Sequence, residues 1–160
     1  MDLIRLERAL KSGNQDEASS AISEASRHNN EEVVFMLIEH LRNTDNKILR
    51  NEIAIALSDI GNPMAVEPII ELLMNPKTLG SRGSLLYALR PFDYSSHLEL
   101  LVDFMINGNF EVRYDSKNLL QLLDFRIPED LIFKIKNAVD DYEDRIELLL
   151  ETLDKLENGK

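Results

Sequence analysis

The chain contains no cysteine and no tryptophan, and only six glycines and five prolines among its 160 residues. The absence of cysteine excludes disulfides and thiolate-bound metals, and it fits a reducing compartment. No apolar run approaches the roughly 18 residues that a membrane-spanning helix needs. The N-terminus lacks a basic segment followed by an apolar one, so no secretory signal is visible, and we expect a cytoplasmic protein.

Basic side chains are also scarce. The chain carries 29 acidic and 18 basic residues, a formal net charge of −11, and residues 138–160 alone hold eight acids and three bases. By contrast, residues 77–137 hold eight of each. A nucleic-acid or anionic-membrane surface requires clustered Lys and Arg, which this chain lacks. The charge therefore disfavours nucleic acid and membranes and allows a basic partner protein, although it could equally serve solubility alone.

Apolar residues recur at helical spacing throughout the chain, and a longer motif repeats above that period. The clearest copy runs from Arg50 to Leu73. Weaker copies begin at Arg82, 32 residues after Arg50, and at Arg113, 31 residues after Arg82. A fixed period in this range predicts stacked pairs of helices, each unable to bury its apolar face alone. Within the motif, Gly61 can end one helix in the left-handed conformation and Pro63 can open the next.

The stretch from Asn51 to Met74 resembles HEAT repeats, most closely the HEAT-like repeat first recognised in phycobilin lyases. The residues that carry the resemblance are Arg50, Ala54, Ala56-Leu57, Ile60-Gly61-Asn62-Pro63, Ala65-Val66, Pro68, Ile69-Ile70 and Leu72-Leu73. The resemblance implies a right-handed stack of helix pairs that serves mainly for protein–protein contact, while a minority of the family are enzymes or chromophore-handling factors. We therefore expect an all-α fold, an α-solenoid of HEAT-like helical hairpins.

We expect a single domain over residues 1–160, built of four repeats with a helix at each end. The predicted repeats cover 14–43, 46–75, 79–107 and 110–138, with an N-terminal helix over 2–11 and an acidic C-terminal helix over 139–157. That last helix carries an apolar seam at alternating spacings of four and three, formed by Tyr142, Ile146, Leu149, Leu153 and Leu156. We interpret it as a cap on the open end of the stack; the alternative is a contact between two copies of the chain.

Alignment of the repeats places carboxylates at equivalent positions of the second helices. Glu67, Glu99 and Glu129 form one set, and Glu39, Glu71 and Asp103 form another. The family resemblance places these helices on the inner, concave side of the stack. The six residues are therefore our predicted partner-binding site, because clustered like charge attracts a basic partner. The alternative is an ordinary solvated helix face, which Glu favours by helix propensity alone.

Two further sets of residues have structural and functional interpretations. Arg50, Arg82 and Arg113 align at the starts of first helices, where we expect an internal ladder of hydrogen bonds rather than an anion-binding row. Five aromatic residues fall in or beside turns, where they either fill gaps between repeats or anchor an interface; they are Phe92, Tyr94, Phe110, Tyr114 and Phe125.

The sequence offers little for catalysis. His28 and His40 lie in the first predicted repeat and His97 in the third, no Ser-His-Asp set is suggested by spacing, and no carboxylate pair is singled out as acid and base. One His and one Asp at positions 97 and 93 are too few for a metal site. We therefore predict no catalytic residues, no metal, no cofactor and no enzyme activity.

The resulting hypothesis is a non-catalytic protein-binding module that uses an acidic concave face to bind a basic partner, as a monomer or weak dimer. A narrower form is an immunity or inhibitor protein that neutralises a basic toxin such as a nuclease. The alternatives are a lyase-like chromophore-handling factor and a passive dimeric scaffold.

Overall fold

The computed structural model describes residues 2–28, 30–124 and 126–158, and every regular element among them is helical. This confirms the all-α prediction. Three short 3-10 helices, Pro63–Ala65, Pro76–Thr78 and Ser95–His97, lie between the longer elements. The α-helices of the described residues are α1 Leu3–Lys11, α2 Gln15–Ala25, α3 Glu31–Asn43, α4 Lys47–Ile60, α5 Val66–Met74, α6 Gly83–Ala88, α7 Leu98–Asn107, α8 Phe110–Gln121 and α9 Glu129–Asn158.

Short polar side chains set most helix starts. The side-chain oxygen of Asn14 accepts from the backbone N–H groups of Asp16 and Glu17 at the start of α2, and Asn46 does the same for Ile48 and Leu49 in α4. These contacts satisfy N–H groups that have no partner inside the helix. At the other end of α4, Gly61 adopts a φ of 70°, the left-handed conformation expected from the motif.

The start of α7 has no side-chain cap. Ser96-His97-Leu98-Glu99 has the spacing of a capping box. Instead, Ser95–His97 form a 3-10 turn that leads into α7, and no side chain caps the helix. The carboxylate of Asp93 accepts from the backbone N–H of Ser95, which nucleates this turn one step earlier in the chain.

The helices form two rows. In the first row, α2, α4, α6 and α8 pack against one another in chain order. In the second row, α1 packs against α3 and α3 against α5, while α7 packs against α9. Contacts between the rows join α1 to α2, α3 to α4, α5 to α6 and α7 to α8. The apolar faces of α1 to α8 are therefore each buried against a neighbour in the same row and a helix of the other row, whereas α9 packs on α7 of its own row.

The core lies between the rows and consists mainly of aliphatic side chains, among them Leu37, Ile53, Leu57, Ile69 and Leu85, each with no exposed surface. Such burial is the main favourable term in folding. The repeat of about thirty-two residues thus gives each repeated helix one apolar stripe that faces this core.

Of the three arginines predicted to form a hydrogen-bonded ladder, Arg50 reaches the next predicted repeat, whereas Arg82 donates to Thr78 Oγ1, four residues earlier, at 3.4 Å. Arg50 is 2% exposed, and one of its terminal nitrogens donates to Ser81 Oγ of the next predicted repeat at 2.9 Å. The guanidinium of Arg82 lies 5.0 Å from the centre of the Phe104 ring, whereas Arg113 is exposed. Desolvation lowers the pKa of Arg50.

The aromatic residues divide between the two interpretations. Tyr94 is 3% exposed and its hydroxyl donates to the Leu119 carbonyl at 2.7 Å, so it fills a gap between repeats, as does the buried Phe92. Phe110 and Tyr114 are exposed and stack on each other with ring centres 6.3 Å apart. Phe125 lies outside the described residues.

The prediction of a separate C-terminal capping helix over 139–157 is wrong. Residues 129–158 form one helix, because no Gly or Pro in this stretch interrupts it. Its first part packs on α7, and the hydroxyl of Tyr142 donates to the Ile106 carbonyl at 2.6 Å. Beyond that contact every residue from 143 to 158 is exposed. We call residues 143–158 the extension; at 1.5 Å per residue it is about 24 Å long.

Removal of the extension should leave the stability of the body unchanged, since none of these side chains is buried. For a chain that ends at Tyr142, we expect a free energy of unfolding within about 0.5 kcal/mol of the full chain. Urea unfolding followed by circular dichroism measures the difference.

Leu131→Ala is the matched control, because Leu131 is the buried residue of α9. It should cost about 2–5 kcal/mol, which shows that the assay detects lost packing. A similar loss in the shortened chain would mean that the extension covers the core.

Candidate functional site

The six predicted carboxylates lie on successive helices of the second row. Glu39 is on α3, Glu67 and Glu71 are on α5, Glu99 and Asp103 are on α7, and Glu129 is the first residue of α9. Five of them are exposed and Asp103 is half-buried. The six acids therefore form a solvent-accessible set that spans four helices of the second row.

Three of these six acids are paired with a cation from a neighbouring helix. Arg42 on α3 donates through Nε and Nη2 to the two oxygens of Glu71, at 2.7 and 2.8 Å. Lys134 on α9 lies 2.7 Å from Asp103 Oδ1 and 3.5 Å from Glu99 Oε1. The pairs thus bridge α3 to α5 and α7 to α9. We call this set of carboxylates and its cations the second-row surface.

Two further acids have local partners. Glu129 pairs with Arg126, three residues earlier, at 2.7 Å. The Oε1 atom of Glu67 lies 2.8 Å from Nε2 of His97, which links α5 to the turn before α7. His97 therefore takes part in a surface contact between helices.

Glu39 has no side-chain ion-pair partner within the described part of the chain. It lines an open groove of about 600 Å³ between α1 and α3, together with Glu7, Lys11 and the exposed ring of Phe35. The pKa of Lys11 is raised first by its hydrogen bond to Glu7 and also by the charge of Glu39. On the far side of the same groove, His40 donates from Nδ1 to the Met36 carbonyl at 2.9 Å, since a carbonyl can only accept.

The perturbed pKa values on this surface arise from ion pairing. The hydrogen bond from Arg42 lowers the pKa of Glu71, and Glu71 in turn raises the pKa of Arg42. Asp103 is the main cause of the raised pKa of Lys134, followed by Glu99. The shifts of Glu71, Arg42 and Lys134 each stabilise the charged form of that side chain, which is the opposite of what a general acid or base near neutral pH requires.

The sequence did not predict a second polar cluster, which lies in the first row. Ser19 on α2 donates to Glu52 on α4 at 2.8 Å, and Gln15 donates to the same carboxylate at 3.0 Å. Ser19 and Glu52 border a groove of about 340 Å³ between the two helices. The cluster forms a hydrogen-bonded link between α2 and α4.

The cations of the second-row surface were also missed. Arg42 and Lys134 lie 29 and 31 residues from Glu71 and Asp103, distances at which no local spacing rule applies. The only sequence signal was the equal number of acids and bases in residues 77–137. That balance indicated that the carboxylates of the third and fourth repeats had cations available.

Over residues 2–28, 30–124 and 126–158, no cluster of three or more His, Asp or Glu side chains could hold a metal ion. In the same residues, no helix combines the length and apolar character needed to cross a membrane. A scan of protein-family models and searches of curated proteins and solved structures find no match to this chain.

The pairing of Arg42 with Glu71 can be tested by titration. Replacement of Arg42 by Gln should raise the pKa of Glu71 toward its ordinary value, because the largest cause of its lowering is removed. Since the folded-state pKa is depressed, the pair stabilises the fold above about pH 4.5 and loses this contribution as the pH falls through the folded-state pKa. Carboxyl chemical shifts followed by NMR give the pKa directly.

Arg8→Gln serves as the control, since Arg8 is exposed on α1 and has no contact with Glu71. The Glu71 pKa should be the same in this variant as in the original chain. An unchanged pKa in Arg42→Gln would show that the ion pair does not persist in solution. The stability difference at pH 7 should stay below about 1 kcal/mol, because both partners are largely exposed.

Proposed function

We propose that this protein is a non-catalytic module that binds a basic partner protein through the second-row surface. The observation that carries the proposal is the recurrence of accessible carboxylates on helices of the second row. Six carboxylates lie on α3, α5, α7 and α9, and all remain accessible to solvent. Carboxylates that recur on several helices in this way focus negative potential along one side of the molecule, and they speed the approach of a basic partner.

The fold that we propose is an α-solenoid of HEAT-like hairpins. Two features support it: the helices of the first row pack in chain order, and the motif turn at Gly61 has the left-handed conformation that its pattern favours. Stacks of helix pairs present extended surfaces, which suits contact with a protein more than enclosure of a small substrate.

The ion pairs on this surface are compatible with binding. Arg42 and Glu71 retain 45% and 52% of their side-chain exposure, and exposed pairs contribute only about 0–1 kcal/mol each. A partner's Lys or Arg can therefore replace an internal cation at small cost.

The hydrogen-bond contacts of two histidines support non-catalytic binding. His97 and His40 each use a ring nitrogen in a contact with Glu67 or a backbone carbonyl, and neither has a hydroxyl partner. In a narrower form, the protein is an immunity or inhibitor protein whose acidic face occupies the substrate groove of a basic toxin such as a nuclease. This form requires tight binding to one partner, weakened by salt.

The proposal is tested by affinity chromatography on the immobilised protein with lysate from its source organism. A basic protein should be retained and should elute at high salt. The triple variant E67Q/E71Q/E99Q should release it at distinctly lower salt, because three carboxylates of the second-row surface are neutralised.

The matched control is D16N/E17Q/D59N, which removes the same charge from exposed positions on first-row helices α2 and α4. It should release the partner at nearly the original salt concentration. Equal effects of the two triple variants would show that only net charge matters, and no effect of E67Q/E71Q/E99Q would remove the second-row surface from the contact.

A further inference from the structure

The extension of α9 exposes a continuous apolar seam. Tyr142, Ile146, Leu149, Leu153 and Leu156 alternate in spacing by four and three, which keeps them on one side of the helix. Ile146, Leu149 and Leu156 are 56%, 68% and 78% exposed. From Tyr142 to Leu156 the seam runs for about four helical turns. Contiguous exposed apolar surface of this kind usually marks an interaction site.

The two flanks of the seam differ in charge. The residue that directly follows each seam position is acidic except after Leu149, which gives an acidic flank of Glu143, Glu147, Asp154 and Glu157. The residues that precede the seam positions include both bases of the extension, Arg145 and Lys155. The seam is thus bordered by negative charge along one side only.

The acidic flank also lacks the internal cations found on the body. Among the described residues, no Lys, Arg or His lies within ion-pair distance of Glu143, Glu147 or Glu157. Arg145 pairs instead with Asp141 at 2.8 Å, on the other flank. On the second-row surface, by contrast, Glu71 and Asp103 each contact a cation from a neighbouring helix. Within the described residues, a cation of a partner can therefore pair with this flank without displacing an internal one.

A second copy of the chain fits this surface poorly. Residues 140–158 hold eight acids and two bases, so two paired extensions would bring together two strongly negative helices. In a parallel pair, the flanking positions that face each other would place Arg145 opposite Leu150 and Thr152 opposite Glu157, so no ion pair forms. In an antiparallel pair, Glu143 and Glu157 lie on the same flank and would face acids of the other copy.

We propose that the extension is a docking site for an amphipathic helix of a partner protein that carries Lys or Arg beside its apolar stripe. The apolar stripe of that helix packs on the seam, and its cations pair with the acidic flank. Apolar contact supplies most of the affinity, while the unpaired carboxylates select a basic helix over an acidic one. The inference goes beyond the proposed function, because it uses none of the residues of the second-row surface.

A designed peptide provides the probe. It has about three heptads, with Leu at the two core positions, Lys at the two flanking positions and Ala elsewhere. Fluorescence anisotropy should show binding of this peptide to the full chain that weakens as NaCl rises. A companion peptide with Glu in place of Lys should bind at least about tenfold more weakly, since its charges oppose the acidic flank.

Leu149 and Leu148 offer a matched pair of substitutions, because they are 68% and 65% exposed but lie on different faces of the helix. L149A/L153A should weaken peptide binding by about tenfold or more, through loss of buried apolar surface. L148A should leave binding within about twofold. Ala preserves helix propensity, and circular dichroism checks that the helix is intact.

Two outcomes would overturn the proposal. One is equal binding of the Lys and Glu peptides, or binding of neither. The other is a dimer in light scattering of the chain alone that L149A/L153A dissociates, which would assign the seam to a second copy. E67Q/E71Q/E99Q should bind the Lys peptide as the original chain does, so failure of the docking site and failure of the second-row contact are separately visible.

Discussion

Burial of apolar helix faces between the two rows is the interaction on which the remaining features depend. Each helix is amphipathic, and alone it would leave its stripe in water, so the helices are stable only in contact with one another. Leu37 of the second row and Ile53 of the first row both lose all exposure in this way. The two rows turn their polar faces to opposite sides of the body. The polar faces of α3, α5, α7 and α9 therefore lie on the side of the second row.

Charge is arranged differently on the body and on the extension. On the body, acids that come close through packing are accompanied by cations from adjacent helices, as with Arg42 beside Glu71, which offsets repulsion between neighbouring carboxylates. The extension packs on nothing beyond Tyr142, so no adjacent helix supplies cations to Glu143 or Glu147. Unpaired carboxylates and exposed leucines therefore occur together for one reason. The helix α9 continues beyond the last helix on which it packs.

Local features were predictable where the signal lies within a few residues. Helix starts at Asn14 and Asn46 and the left-handed turn at Gly61 follow from short-range hydrogen bonding and backbone sterics. The capping-box spacing at Ser96 gives no cap in the structure, where Asp93 instead accepts from the backbone N–H of Ser95; spacing alone does not rank two competing local motifs. For the candidate site, the carboxylate positions could be predicted from the repeat, but their cations could not.

By itself, the sequence determined the helical class, the places where most helices begin and end, and which face of each helix is apolar, because these depend on neighbours along the chain. Tertiary structure alone decided what covers each face. The seam from Tyr142 to Leu156 has the same periodicity as a buried stripe, yet it is exposed because its helix runs past its last neighbour. In the same way, only packing brought Lys134 to Asp103. The two residues are 31 positions apart in sequence and meet because α7 and α9 lie side by side.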